Sequence, residues 1–294
     1  SYLDNALEKN YDVLSVQDTS IITNKQKTVA ARSVLGQQEG RATVVLNAVE
    51  YSATYKVTVN GVDCEYKTYN ADVFTNNSAT DTKLNADTIL TGLKSAIDAS
   101  SAGVLVTKGS STLELWDSSP ITISAKGGTT GKALRAFTDE VDTATDLPST
   151  SSQGRTVKIV NTNSSASTYY AMFKRDTVTG VGDGFWEETI KPHISQGLDK
   201  ATMPHELVNT AVNAFTFKQI DYTDRLVGDD ETNSHPSFVD NKINGAFFNR
   251  NRLGFLTGEN VSMSQAGEFY NFYHITATAS TDSDPVDLAC SSIR

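Results

Sequence analysis

Tyr55-Lys56-Val57-Thr58-Val59-Asn60-Gly61-Val62-Asp63-Cys64-Glu65-Tyr66 is the stretch that decides how this chain is built. Tyr55, Val57 and Val59 alternate with Lys56 and Thr58, and after Asn60-Gly61 the alternation resumes with Val62, Cys64 and Tyr66. A period of two is that of a strand with one buried face. Asn-Gly supplies the two positive φ angles of a type I′ turn, so a β-hairpin is expected.

On the N-terminal side, Arg41 to Glu50 is rich in β-branched and apolar residues and reads as a strand. On the C-terminal side the period changes. Ala86, Ile89, Leu90, Leu93, Ala96 and Ile97 recur at intervals of three and four, which puts them on one face of a helix from Asn85 to near Ser100. Asn85 or Asp87 is expected to cap or charge its start. Gly92 costs about 1 kcal/mol relative to Ala inside a helix, so packing must hold it. Strand signals return at Val104-Leu105-Val106, Leu113-Glu114-Leu115-Trp116 and Ile121-Thr122-Ile123, giving a hairpin, helix, hairpin order. A short helix is expected at Lys132 to Phe137, and the Ser/Thr/Asp-rich run Thr143 to Gln153, with Pro148, reads as a loop or linker. Val157 to Val160, Tyr169 to Phe173 and Phe185 to Thr189 form a β-meander in prospect.

Further out, Val13 to Lys25 reads as strand, turn, strand, followed by Thr28-Val29-Ala30. Beyond Pro192 the pattern is less regular until Phe215-Thr216-Phe217. A Tyr/Phe-dense region then runs from Phe247 to Tyr273 and contains a second hairpin around Gly258-Glu259-Asn260. The chain is therefore expected to be mainly β with a minor α component. A β-rich outer body, residues 1–40 with 195–294, is interrupted by an inserted α+β module, residues 41–190. Short strands separated by Gly and Asn turns would suit the blades of a propeller-like outer body. No repeat of fixed length occurs, so no solenoid is expected.

Composition narrows the function. The 294 residues carry a formal charge of −10 with no Lys/Arg-rich run, which argues against affinity for nucleic acid driven by counterion release. No apolar run approaches the roughly 20 residues of a membrane-spanning helix. Ser1-Tyr2-Leu3-Asp4 does not begin like a signal peptide, and with the final Ser292-Ile293-Arg294 it suggests a piece of a longer protein. The two cysteines, Cys64 and Cys290, are far apart and are expected to be buried free thiols.

The motifs of catalysis fail one by one. His205-Glu206 lacks the second His of a metalloprotease helix, and His193, His235 and His274 are scattered. Asp139-Glu140, Glu187-Glu188 and Asp229-Asp230-Glu231 are paired carboxylates, but neighbours on a strand point to opposite faces, whereas a glycosidase needs two across one cleft. Gly127-Gly128-Thr129-Thr130-Gly131-Lys132 and Gly180-Val181-Gly182-Asp183-Gly184 have neither the Walker nor the dinucleotide spacing and read as turns. Phe269-Tyr270-Asn271-Phe272-Tyr273 has no interleaved Lys or Arg to suit nucleic acid and reads as core or subunit interface. No catalytic, cofactor-binding or metal residue is expected, and no cofactor. Two rivals stay open: a glycan-binding adhesin, and a hydrolase of cell wall or capsule.

The segment Phe247-Phe248-Asn249-Arg250-Asn251-Arg252-Leu253-Gly254-Phe255-Leu256-Thr257-Gly258-Glu259-Asn260-Val261-Ser262-Met263-Ser264-Gln265-Ala266-Gly267-Glu268-Phe269-Tyr270-Asn271-Phe272 resembles a signature of the tail nozzle family of T7-like podoviruses, tail tubular protein B. Leu14 to Asn24 and Thr202-Met203-Pro204-His205-Glu206-Leu207-Val208 are similar to the same family at the right relative positions. The hairpin from Tyr55 to Tyr66 and the stretch Ala133 to Pro148 fit more loosely. The resemblance implies a structural protein of the virion tail, a ring of six subunits below the portal and adaptor. It also implies tail fibres and the host envelope as neighbours, and a channel that double-stranded DNA crosses without specific binding. It carries over no catalytic residue and assigns none to the channel lining. In that role Gly254, Gly258 and Gly267 would relieve the backbone at bends, and Arg250 and Arg252 would pair with acidic neighbours.

Overall fold

The computed structural model describes residues 2–4, 7–34, 39–69, 84–162, 168–177 and 179–290, and the chain divides into two units, Ser1–Gly36 with His193–Arg294, and Gln37–Pro192. The final Ser292-Ile293-Arg294 lies outside the described residues.

The outer unit opens with the expected hairpin, β1 (Tyr11–Val16) and β2 (Thr19–Asn24), antiparallel with Val16 opposite Thr19. Residues 28–31 make only isolated bridges, Thr28 to Lys242, Val29 to Val239 and Ala31 to Leu198, so this stretch ties the chain's start to its end without forming a strand.

The central unit begins with β3 (Gly40–Leu46) and then the hairpin of β4 (Thr54–Val59) and β5 (Val62–Lys67). Val59 faces Val62, and φ is 49° at Asn60 and 81° at Gly61, the two left-handed residues that the turn demands. Helix α1 (Ala86–Asp98) starts at Asn85, whose side-chain oxygen accepts the Thr88 N–H at 2.7 Å and satisfies one of the orphan donors of the first turn. Next come β6 (Leu105–Lys108), β7 (Thr112–Asp117), β8 (Ile123–Gly127) and β9 (Leu134–Phe137). They complete two sheets, in the orders β6-β7-β3-β9 and β5-β4-β8.

One core joins these sheets to the helix. Ile89, Leu90, Leu93 and Ile97 share it with Val44, Tyr55, Val57, Leu113 and Leu115. The helix comes so close to β5 that a Cβ on Gly92 would lie 2.1 Å from the Tyr66 ring, so the glycine's cost in helix propensity is offset by contact.

Two expectations for this unit are corrected. Residues Leu134–Phe137 are a strand, not a helix, because they complete the edge of β3, with Leu46 opposite Leu134, and sink Leu134 into the core. The stretch from Thr143 to Gln153 is no linker. It holds a capped 3₁₀ turn (Ala144–Asp146) and then β11 (Thr150–Ser152), in which Thr150 and Ser151 are fully buried. Polar composition misleads here because the two hydroxyls find partners inside the protein.

The rest of the unit is the expected meander. With β10 (Glu140–Val141), β12 (Thr156–Ile159), β13 (Tyr169–Lys174) and β15 (Phe185–Thr189) make a sheet in the order β10-β12-β13-β15, over a smaller core of Val141, Val157, Ile159 and Ala171. The strand β14 (Val181–Asp183) pairs with β11.

The chain re-enters the outer unit with β16 (His205–Ala211) and β17 (Ala214–Gln219), which extend the first hairpin to the sheet β1-β2-β16-β17. A second sheet follows chain order: β18 (Gly245–Asn249), β19 (Arg252–Thr257), β20 (Asn260–Met263) and β21 (Val286–Ala289). Ile21, Val29, Leu198, Met203, Phe238, Leu253, Phe255 and Phe272 form its core, drawn from both ends of the chain. The Ala246 N–H also donates to the Asp12 carboxylate at 2.8 Å. The protein is mainly β, and among the described residues its sheets of two to four strands stay open, forming no closed sheet or propeller.

Candidate functional site

The segment from Phe247 to Phe272 folds as β18, β19 and β20 with the loop after them, and its residues act on the protein's own interior. Phe255 stacks on Phe272 with centroids 5.2 Å apart, and the Phe238 ring meets both edge-on, at 5.6 and 5.3 Å. Such offset and edge arrangements add to the burial of each ring. Tyr222 and Tyr270 pack edge to face beside them, and the buried Tyr222 hydroxyl donates to the Pro204 carbonyl at 3.1 Å. Burial pushes the phenol of Tyr270 up to about 12 and that of Tyr222 well above its ordinary value, so both stay neutral.

Two roles expected of this segment change. Gly258 and Gly267 do have positive φ, 52° and 83°, but Gly254 does not. It is small because the Phe247 ring lies across it, where a Cβ would come within 2.1 Å. Among the described residues Arg252 pairs with no carboxylate. Its guanidinium donates to the carbonyls of Ser264, Asp284 and Asp282 at 2.7, 2.6 and 2.8 Å, fastening the loop before β21. Arg250 sits in the β18–β19 turn, with φ of 47°.

A second arginine does similar work without any sequence signal. Arg225 is fully buried and donates to the carbonyls of Ser195 and Asn233 at 2.6 and 2.9 Å and to the Asp230 carboxylate at 2.8 Å. Its carbonyl partners are set by loops that no local pattern predicts.

The described histidines have different partners. His205 is sandwiched between Tyr2, 4.1 Å away, and Phe217, 5.3 Å away, and its Nδ1 bonds the Met203 carbonyl. His235 meets the Tyr273 hydroxyl at 2.8 Å, and His274 lies 3.3 Å from Asp284. Of the paired carboxylates, Asp139 meets Arg155, Asp230 meets Arg225 and Glu187 meets Lys174, while Asp229 accepts from Thr232. Among the described residues no group of three or more His, Cys, Asp or Glu could hold a metal ion. Gly128 and Gly131 at φ of 75°, and Gly180 at 72°, are turn glycines.

One buried carboxylate escaped the sequence reading. Glu114 on β7 accepts from Thr43 at 3.0 Å and Ser151 at 2.6 Å and faces Arg155 at 3.9 Å. Arg155 is itself buried and donates to the carbonyls of Thr138 and Thr156. Desolvation raises the pKa of Glu114, against the opposing pull of Arg155 and the two hydroxyls. It borders a groove of about 440 Å³ that also touches Glu39, Arg41 and Trp116. Both carboxyl oxygens are occupied by protein partners, which suits a structural knot between β3, β7 and β11. Cys64 is buried as expected, whereas Cys290 is exposed just past β21, a correction that follows from its place at the sheet's open end.

The two sheets, the aromatic interior and the arginine fastenings define a protein whose distinctive residues pack its own β-body. The bacteriophage nozzle protein family matches residues 1–294, and the chain belongs to that family. It is thus a structural component of a phage tail nozzle, and its place is the virion tail. Tail tubular protein gp12 of Escherichia phage T7 is 35% identical to it over 172 residues, which cover 58% of this chain and 21% of that protein. The match therefore spans about a fifth of the length of this relative.

Proposed function

We propose that this chain forms part of the wall of a conduit through which a short-tailed phage ejects its genome. Six copies form the ring, seated below the portal and adaptor and next to the tail fibres, and the ring meets the host envelope. The observation that carries this reading is the use of the signature segment: its aromatic residues, glycines and Arg252 all serve the packing of one β-body. The reading includes an absence of catalysis, supported by carboxylates that are tied to arginine and lysine.

An acidic chain of net charge −10 suits a wall past which DNA slides, because no phosphate-binding stripe holds the duplex. Electron microscopy of the full-length protein should show a six-fold ring around an open channel, and a monomer under all assembly conditions would refute it. Duplex DNA should bind weakly or not at all at physiological salt. Hydrolysis of cell-wall glycan that disappears on changing one carboxylate would restore the hydrolase.

A further inference from the structure

Asn-Gly occurs twice in the sequence, at Asn60-Gly61 and at Asn244-Gly245. The dipeptide is reactive as well as a turn former. With no side chain in the way, the glycine nitrogen can reach the side-chain carbonyl carbon of the asparagine and close a succinimide ring. Both asparagines are exposed, so access of water does not separate them. What holds their amides does.

Asn60 is tied at both ends of its amide. Its Nδ2 donates to the Ala102 carbonyl at 3.1 Å, its Oδ1 accepts the Thr122 N–H at 3.0 Å, and its own N–H donates to the Thr122 carbonyl at 2.9 Å. The side chain that would have to swing onto Gly61 is thus fastened to the loop after α1 and to the residue before β8. Asn244 stands just ahead of β18, and its N–H donates to the Leu256 carbonyl at 2.8 Å. Among the described residues nothing holds its side-chain amide. Gly245 is the first residue of its strand, where local opening costs least.

We propose that Asn244-Gly245 is a site of spontaneous deamidation, and that the hydrogen bonds of Asn60 protect the other Asn-Gly pair from the same reaction. The Gly245 nitrogen attacks Cγ of Asn244 and loses its proton. The bond from Cγ to Nδ2 breaks, and ammonia leaves with that proton. Water then opens the ring, at Cγ to give aspartate or at the main-chain carbonyl to give isoaspartate. Isoaspartate routes the main chain through the side-chain carbon and so lengthens it by one atom directly ahead of Gly245. That atom falls between two bonds that fix β18 in place, Asn244 N–H to Leu256 and Ala246 N–H to the Asp12 carboxylate. Either product also adds a carboxylate next to Gly245, which itself abuts Asp12: a Cβ on Gly245 would lie 3.4 Å from Oδ2. Ageing at this one site therefore loosens the tie between the first hairpin and the sheet of the signature segment.

The test ages the full-length protein in mildly alkaline buffer at physiological temperature and follows both asparagines by peptide mapping with mass spectrometry. In the folded protein Asn244 should react at least about tenfold faster than Asn60, because the hydrogen bonds of Asn60 must open first. In urea the two should react at like rates, which assigns the difference to the fold. The aged wild type should melt at a lower temperature than the fresh protein. Asn244→Gln, whose longer side chain closes a ring far more slowly, should age without that loss. Reaction at Asn60 that keeps pace with Asn244 in the folded protein overturns the proposal, as does an Asn244 that reacts only in urea. Unequal rates in urea would assign the contrast to the neighbouring sequence and overturn the protection of Asn60. An aged protein that melts like the fresh one, or a loss that Asn244→Gln shares, would overturn the loosening of β18.

Discussion

The central and outer units solve the same problem, covering β-sheets, in opposite ways. In the central unit, β4 pairs with β5 and β6 with β7 as neighbours in sequence, β3 reaches forward to β7 and β9 within the same continuous stretch, and α1 lays Ile89, Leu90, Leu93 and Ile97 over these sheets. The outer unit pairs β2 with β16 and bonds Asp12 to Ala246, 234 positions away. Its core cannot form until the long intervening loop is closed, an entropic cost that local hairpins avoid. Both units leave some large apolar side chains outward, Val212 and Phe215 in the outer one and Leu105 and Phe185 in the central one.

Separating the two should have the largest effect. Residues 37–192 expressed alone should melt cooperatively with dispersed amide signals, whereas 193–294 alone lacks β2, Ile21 and Val29 and should be poorly folded or aggregate. Joining 1–36 to 193–294 through a short linker should restore cooperative melting. A disordered central piece beside a stable C-terminal piece would reverse the comparison.

Core truncation sharpens it within the intact chain. Phe255→Ala should cost about 3–5 kcal/mol and Leu93→Ala about 2–5 kcal/mol. In calorimetry each should lower the transition of its own unit only, and a shared shift would mean that the two melt as one.

Glycines beneath aromatic rings offer a finer contrast. Gly92→Ala drives a methyl into Tyr66, which is hemmed in against α1, and should destabilise by about 1–3 kcal/mol despite the gain in helix propensity. Gly254→Ala meets Phe247 on an outward face, where the ring can swing aside, so denaturant titration should show a smaller loss. Equal losses would show that Phe247 is held as firmly as Tyr66.

The smallest effect is pH dependence, and its sign should differ between the units. Desolvation holds His205 and His235 below the ordinary histidine range, so the unfolded chain takes up their protons first. Stability from these groups is complete above about pH 6.5 and falls as the pH drops below it. Glu114 is shifted upward by burial, so its contribution is present below the unfolded carboxylate pKa and is lost as pH rises through the folded value. Between pH 5 and 7 the outer transition should therefore rise with pH while the central one falls or stays level. His205→Phe and Glu114→Gln should each flatten the matching slope in thermal melts.

Much of this was legible beforehand. The Asn60-Gly61 hairpin, the helix capped by Asn85 and the Gly258 turn all lie where local rules place them, because each depends on neighbours a few residues apart. The errors fall where distant partners decide. Leu134–Phe137 has apolar spacing open to helix or strand, and the free edge of β3 makes it a strand. Thr150 and Ser151 look like linker residues until Thr112 and Glu114 supply their hydrogen bonds.

The amino-acid sequence alone determined the β-rich class, the lone long helix and, through its signature segment, the kinship with phage nozzles, since periodicity, turn chemistry and motif are written in consecutive residues. Only the tertiary structure decided that Arg225 and Arg252 fasten backbone carbonyls, that Gly92 and Gly254 exist to admit a ring, and that the outer unit turns Val212, Phe215, Leu256 and Leu288 toward solvent. These depend on which surfaces meet in space, and burial is a property of the packed chain rather than of the residue.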